Sequence, residues 1–103
     1  SRISWSAVIL PGFVFKDAHG LVIYLELFHC WHAKQVKARL SWLEKHDNAP
    51  FILGIDRSLL KDEEVAELVN QLGCSVFPFR EYPTVDRTLK CLENTAKKLR
   101  QQN

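Results

Sequence analysis

Residues 21–28, with the sequence LVIYLELF, decide the fold of this chain. Seven of these eight residues are apolar, and a run of this length predicts a strand that is buried on both faces and central in a sheet. The exception is Glu26. Because alternate side chains of a strand share a face, Glu26 is expected to lie beside Val22, Tyr24 and Phe28.

An ionised carboxylate among apolar neighbours is costly unless a cation or hydrogen-bond donors compensate it. The position of Glu26 therefore favours a functional role, in which the carboxylate meets a cation, a metal ion or a substrate. The structural alternative is a strand-end glutamate that reaches solvent or pairs with an arginine such as Arg80. Both interpretations stay open at the level of sequence.

The rest of the chain predicts an α/β fold with the element order β-β-β-α-β-α-β-α. Strands are expected at residues 3–10, around 13–15, at 51–55 and at 75–79, and helices at 31–46, from Ser58 or Asp62 to 72, and after Thr84. Two successive strand-helix-strand units imply parallel strands after an antiparallel meander. The expected architecture is one domain, residues 1–103, with a mixed sheet between layers of helices.

Apolar residues at helical spacing mark the expected buried faces of two helices. Trp42 lies off the stripe of the first helix and is expected to be exposed. The stripe of the first helix is Ala33, Val36, Leu40 and Leu43, and that of the last helix is Val85, Leu89, Leu92, Ala96 and Leu99.

Composition limits the class of protein without identifying a partner. A length of 103 residues fits one domain, and a net charge of +2 is too weak to establish nucleic-acid binding. Three cysteines without a C-x-x-C pair argue against a disulfide framework and favour a reducing cytoplasm. No segment has the length and apolarity of a membrane helix. Since the chain begins at Ser1, we expect that it is part of a longer protein.

Polar residues follow each of the predicted parallel strands. Ligands of open α/β sheets gather outside the carboxyl ends of such strands, where His29, His32, Asp56 and Arg80 are expected. The two histidines with Glu26 offer donors to a transition metal. The alternatives are that the histidines cap or pack at a helix start, and that Asp56 caps the turn that follows it.

Basic residues of the first helix form a possible DNA contact. Lys34, Lys37 and Lys45 share a face with Arg39 at its flank, and this face could follow a phosphate backbone. The alternative is a solvated helix face. The cluster Lys90, Lys97, Lys98 and Arg100 has the same two readings, because cations near a helix C-terminus also interact favourably with the helix dipole.

Residues 10–15, LPGFVF, followed by residues 21–28, resemble the core of PD-(D/E)xK (restriction-endonuclease-like) nucleases. The passages YLE (24–26), FHCW (28–31) and LGID (53–56) are more narrowly similar to the nuclease domain of the archaeal endonuclease that partners the XPB-type helicase, and to its bacterial relatives. The similarity covers roughly Pro11 to Leu60. It implies a restriction-endonuclease-like three-layer fold, a DNA partner in DNA repair, a helicase partner, and Mg²⁺ or Mn²⁺ if the domain is active.

The resemblance leaves Glu26 and Asp56 as catalytic and metal-binding residues. His29 is a further catalytic candidate, and His32, Tyr24 and Arg80 are other candidates for the site. Two departures bear on activity. The expected Pro-Asp is Pro11-Gly12, and Phe28 replaces the usual lysine, which the narrower family also lacks. We therefore expect a catalytically degenerate DNA-binding domain. The alternatives are an active endonuclease with a relocated carboxylate, and a protein-interaction module without a nucleic-acid role.

Overall fold

A computed structural model describes residues 3–7, 13–46 and 48–101, with only the backbone of 3–7. A five-stranded mixed sheet is flanked by three α-helices, which confirms the α/β class and the predicted order of elements. The strands are β1 (Ile3–Ala7), β2 (Phe13–Asp17), β3 (Val22–Phe28), β4 (Phe51–Asp56) and β5 (Val76–Phe79). The helices are α1 (Ala33–Lys45), α2 (Glu63–Leu72) and α3 (Val85–Gln101), with short 3₁₀ turns at Arg57–Lys61 and Gly73–Ser75.

The strands lie in the sheet in the order in which they occur in the chain. β1, β2 and β3 form an antiparallel meander, with Ile3 opposite Asp17 and Phe13 opposite Leu25. β3, β4 and β5 are parallel. The connection from β3 to β4 runs through α1, and that from β4 to β5 runs through α2, and both cross the sheet in the same direction. Because connections between parallel strands share one handedness, both helices lie on the same face of the sheet. α3 covers the opposite face.

The core is divided by the sheet into two layers. The layer under α1 and α2 contains Phe28, Val36, Leu40, Leu43, Leu53, Ile55, Leu59, Val65 and Val76. The layer under α3 contains Phe15, Ile23, Leu25, Ile52, Phe77, Cys91 and Leu92. β3 contributes to both layers, because Phe28 faces α1 while Ile23 and Leu25 face α3. The prediction of a strand buried on both faces is confirmed for these positions.

Gly54 allows the strands beneath α3 to pack closely. A Cβ atom at this position would lie 2.7 Å from Cδ2 of Leu27 and 2.9 Å from Cζ of Phe77. Both distances are too short for carbon atoms in contact. The absence of a side chain in the middle of β4 is therefore a packing requirement.

The predicted helix boundaries have the expected local chemistry. The Asp62 carboxylate accepts hydrogen bonds from the N–H groups of Glu64 at 3.0 Å and Val65 at 3.4 Å, so Asp62 caps α2. Gly73 ends that helix with a φ of +58°, and Gly20 in the β2–β3 turn has a φ of +86°. The hydroxyl of Thr84 accepts a hydrogen bond from the N–H of Arg87 at the start of α3.

Three predictions of burial are wrong. Trp42 is half-buried rather than exposed, because its ring packs edge-on against Phe51 and stacks on His46. Ala33, expected in the buried stripe of α1, is exposed. Val85 is 67% exposed, whereas the rest of the predicted stripe of α3 faces the core: Leu92 is buried, and Leu89, Ala96 and Leu99 pack against the core cluster. Thr88, Cys91 and Thr95 are also buried on this helix.

The three cysteines carry free thiols in different surroundings. Cys91 is buried, its Sγ donates a hydrogen bond to the carbonyl oxygen of Cys74 at 2.8 Å, and burial raises the pKa of its thiol to about 12. Cys30, in the turn after β3, is exposed. In the part of the chain that the structure describes, no helix has both the length and the apolarity that a bilayer crossing requires.

Candidate functional site

Glu26 lies in β3 opposite Leu53, on the sheet face that α1 covers. Its side chain is 22% exposed. It lines a cleft of about 610 Å³ between β3 and α1, together with Leu27, Phe28, His32, Gln35, Ala38, Arg39 and Trp42. The carboxylate is thus held at the mouth of a cleft, with apolar residues on most sides.

Arg39 of α1 pairs with both oxygens of this carboxylate. Its Nε lies 2.6 Å from Oε1 of Glu26, and its Nη2 donates a hydrogen bond to Oε2 at 3.3 Å. Oε1 is buried and has no hydrogen-bond partner in the described structure, so the short Nε contact is an ion pair without hydrogen-bond alignment. The guanidinium also lies over the rings of Trp42 and Phe51, at 5.4 and 5.5 Å from their centroids.

This pairing matches the structural interpretation of Glu26, with Arg39 in place of Arg80. Arg39 was expected at the flank of a DNA-binding face, and in the structure its side chain pairs with Glu26 of the sheet. The partners are thirteen residues apart in sequence and belong to different layers. The negative charge of Glu26 is therefore neutralised within the chain by the guanidinium of Arg39 in α1.

Asp56 does not join Glu26. Alternation along β4 places Asp56 on the face of Ile52 and Gly54, whereas Glu26 shares its face with Phe28 and α1. The Asp56 carboxylate accepts hydrogen bonds from the N–H of Ser58 at 3.0 Å and from its hydroxyl at 2.9 Å. These two bonds, aided by the charge of nearby His29, lower the pKa of Asp56 and outweigh the opposing effect of burial. The turn-capping interpretation of Asp56 is confirmed.

The described residues do not fit a Mg²⁺ or Mn²⁺ site at Glu26. These ions prefer several oxygen ligands, whereas Glu26 already faces a guanidinium and Asp56 leaves the sheet on the other side. Across residues 13–46 and 48–101, no three His, Cys, Asp or Glu side chains converge on a common point. The position where the family resemblance expects an aspartate is Gly12, which lies outside the described residues and as a glycine has no side-chain oxygen.

The two histidines after β3 bind to each other. The N–H of His29 donates to Nδ1 of His32 at 2.9 Å, and the N–H of His32 donates to the carbonyl oxygen of His29 at 2.9 Å. His32 lines the Glu26 cleft, while the ring of His29 stacks on Trp31 and meets Phe79 edge-on. The packing interpretation of these histidines therefore accounts for their contacts.

The basic face of α1 is partly neutralised. Nζ of Lys37 lies 2.7 Å from the carboxylate of Asp62 and 3.9 Å from that of Glu64. The hydrogen bond to Asp62 raises the pKa of Lys37. Lys34 and Lys45 are exposed and have no ion pair with a described residue. Of the four cations of α1 that were predicted to contact DNA, Lys34 and Lys45 therefore remain without a described carboxylate partner.

Tyr24 and Arg80, the remaining predicted positions, lie apart. Tyr24 is 39% exposed on the Glu26 face of the sheet, with its ring centroid 5.3 Å from that of Phe51. Arg80 follows β5 and lines an open cleft with Arg57 and Arg87. The sequence analysis did not single out Arg57 or Arg87, although Arg57 lies two residues beyond a predicted parallel strand.

The comparisons with known proteins name no relative. No protein-family model matches this chain, and neither the curated proteins nor the solved structures contain a significant match.

Proposed function

We propose that this chain is a nuclease-fold DNA-binding domain, associated with DNA repair, that has lost catalysis. The observation that carries the proposal is the Glu26–Arg39 ion pair at the mouth of the cleft. Glu26 is retained at the predicted catalytic position, but Arg39 neutralises its charge. We expect this arrangement when an active site has become a structural feature of the fold. A helicase partner belongs to the proposal through the family resemblance alone.

The argument against catalysis is electrostatic. A metal-dependent nuclease needs carboxylates that hold an ion, and the ion polarises the phosphate and activates water. An ion could approach Glu26 only after Arg39 moved away, which would break a contact of 2.6 Å and expose two aromatic rings. Glycine at position 12 removes the second carboxylate that the family resemblance predicts.

The argument for DNA rests on cations that the chain leaves without carboxylate partners. Lys34 and Lys45 are exposed on α1, and Arg57, Arg80 and Arg87 are exposed beyond the carboxyl ends of β4 and β5. None of the five forms an ion pair among residues 13–46 and 48–101. Phosphate groups neutralise such residues and release counterions on binding.

Fluorescence anisotropy with labelled DNA tests the proposal. We expect binding at low ionic strength that weakens by at least tenfold between about 50 and 200 mM salt. Incubation with Mg²⁺ or Mn²⁺ should leave the DNA intact, and Glu26→Gln should bind as the wild type does. Metal-dependent cleavage that disappears in Glu26→Gln would instead identify an active endonuclease. Absence of binding at low salt would favour a protein-interaction module.

A further inference from the structure

Strand register brings two arginines together at one edge of the sheet. β4 and β5 are parallel, and their last pair is Asp56 with Phe79. The next residues are Arg57 and Arg80, so both arginines follow neighbouring strand ends at the same level. The first turn of α3 adds Arg87. Three arginines from separate parts of the chain therefore line one cleft beyond the carboxyl ends of β4 and β5.

These arginines line a concave surface. The cleft has a volume of about 520 Å³, and its lining contains a single acidic residue, Glu81, so the charge of the lining is net positive. Its lining residues are Arg57, Pro78, Phe79, Arg80, Glu81, Tyr82, Thr84 and Arg87. All three arginines are exposed, and within the described ranges none is paired with a carboxylate.

The other two described arginines are paired within the chain. Arg39 pairs with Glu26, and Arg100 pairs with Asp17. Like charges that are gathered without a counter-charge repel one another, and such an arrangement gains nothing for the fold alone. It is favourable when an anion from outside neutralises it.

Aromatic side chains border the same edge. Tyr82 lines the cleft and is 68% exposed. It follows a tight turn in which its N–H donates to the carbonyl oxygen of Arg80, and Glu81 between them has a φ of +61°. Trp31 is 70% exposed and stacks on His29, whose ring contacts Phe79 in the wall of the cleft.

We propose that this cleft binds single-stranded nucleic acid, with backbone phosphates held by Arg57, Arg80 and Arg87 and a base stacked on Tyr82. The planar fork of arginine matches phosphate oxygens, and every base has a face that a tyrosine ring can cover. A duplex keeps its base faces inside the stack, and an acidic peptide has none to offer Tyr82. The inference rests on the proposed DNA binding and adds the strand chemistry and the surface used.

The test is anisotropy of a labelled oligothymidylate, titrated over a series of salt concentrations. The triple variant Arg57→Gln/Arg80→Gln/Arg87→Gln should lose at least tenfold in affinity, and the slope of log K against log salt should become less negative by about 2, because each phosphate contact contributes roughly −0.7. Tyr82→Ala should lose roughly fivefold or more with an unchanged slope, because stacking does not release counterions. The charge-matched control Lys16→Gln/Lys61→Glu removes the same three units of positive charge away from the cleft, so it should retain the affinity and show that net charge alone is not responsible.

Other outcomes would overturn the inference. If Lys34→Gln/Lys45→Gln abolishes binding while the arginine variant binds normally, the cleft is excluded and the proposed function stands. Equal competition by duplex DNA would exclude single-strand recognition, and equal competition by polyglutamate would exclude nucleic acid as the specific ligand. Failure of every DNA to bind the wild type would overturn both proposals. Circular dichroism of each variant verifies that the fold is retained.

Discussion

Two clefts of similar size occur in this protein, and they differ in whether their charged side chains are paired within the chain. In the cleft between β3 and α1, Glu26 is matched by Arg39, and two aromatic rings cover the pair. In the cleft beyond β4 and β5, three arginines form no ion pair with a described carboxylate, and an aromatic ring stands exposed beside them. The first cleft contains the residue that the sequence marks as unusual, and the second contains residues that look ordinary in the sequence.

The difference indicates that a residue which stands out in the sequence can be compensated within the chain, while ordinary surface residues line a cleft of net positive charge. A buried charge stands out in a sequence because it must be compensated, and compensation inside the chain makes it part of the architecture. A surface cation is common, so it becomes informative only when the fold gathers several without counter-charges. The variants below test whether the first cleft serves stability and the second serves binding.

The largest expected effect is on the fold itself, through β4, which lies between β3 and β5 in the sheet. Gly54→Val places branched carbon atoms where a single Cβ would already lie 2.7 Å from Leu27 and 2.9 Å from Phe77. We expect a loss of roughly 3 kcal/mol in the free energy of unfolding, at the upper end of overpacking effects. Urea denaturation measures this loss. A change below about 0.5 kcal/mol would show that β4 can move away from its neighbours.

The second variant leaves Glu26 without its cation. Arg39→Met retains packing against Trp42 and Phe51 but removes the ion pair, so we expect the free energy of unfolding to fall by roughly 1–3 kcal/mol. Adding Glu26→Leu should restore part of the loss, because no unpaired charge then remains. A double-mutant cycle measured by urea denaturation gives the coupling. A coupling near zero would contradict a stabilising role for this cleft.

A smaller effect is expected from the ion pair on the surface of α1. The hydrogen bond from Lys37, aided by the N–H groups of Val65 and Glu64, lowers the pKa of Asp62 and outweighs partial burial. The folded state then binds the proton less readily than the unfolded state, whose pKa is near 3.8. The contribution is complete above that pKa and is lost as the pH falls through the lower folded value.

Urea denaturation between pH 7 and pH 2 tests this expectation. Asp62→Asn should lower stability at neutral pH and make its decline below about pH 4 less steep. Glu67→Gln is the matched control, because Glu67 is exposed in the same helix and has no ion pair with a described residue. Equal pH profiles for Asp62→Asn and the wild type would contradict the assignment.

The smallest effect on stability is expected where the effect on binding is largest. Neutralising Arg57, Arg80 and Arg87 together should change the free energy of unfolding by less than about 0.5 kcal/mol, since all three are exposed and unpaired among the described residues. A slight gain is consistent with relief of repulsion. A loss comparable to that of Arg39→Met, measured by the same denaturation, would mean that the arginines serve the fold rather than a ligand.

The order of strands and helices along the chain and the exceptional place of Glu26 could be predicted because they depend on local periodicity. The identity of its partner could not, since contact between Arg39 and Glu26 depends on how α1 is rotated against the sheet. A helical wheel places Arg39 beside the lysines and gives no angle relative to β3. Trp42 was misjudged for the same reason.

The arginine cleft depends on relationships that a sequence does not state. Arg57 and Arg80 meet because Asp56 is paired with Phe79, and that register follows from packing of the whole sheet. Val85 completes a regular apolar stripe yet is exposed, because the first turn of α3 borders the cleft rather than the core. Periodicity predicts which side of a helix is apolar, but it does not predict how far along the helix the sheet extends to cover that side.

The contrast among the cysteines has a practical consequence for this edge of the sheet. The Cys91 thiol stays protonated at neutral pH and is shielded by packing, whereas Cys30 is open to solvent and precedes Trp31. A maleimide dye should therefore attach to Cys30 well before Cys91. A dye at that position would sit beside the tryptophan near the carboxyl end of β3, where its emission would report the arrival of a ligand without altering any of the arginines.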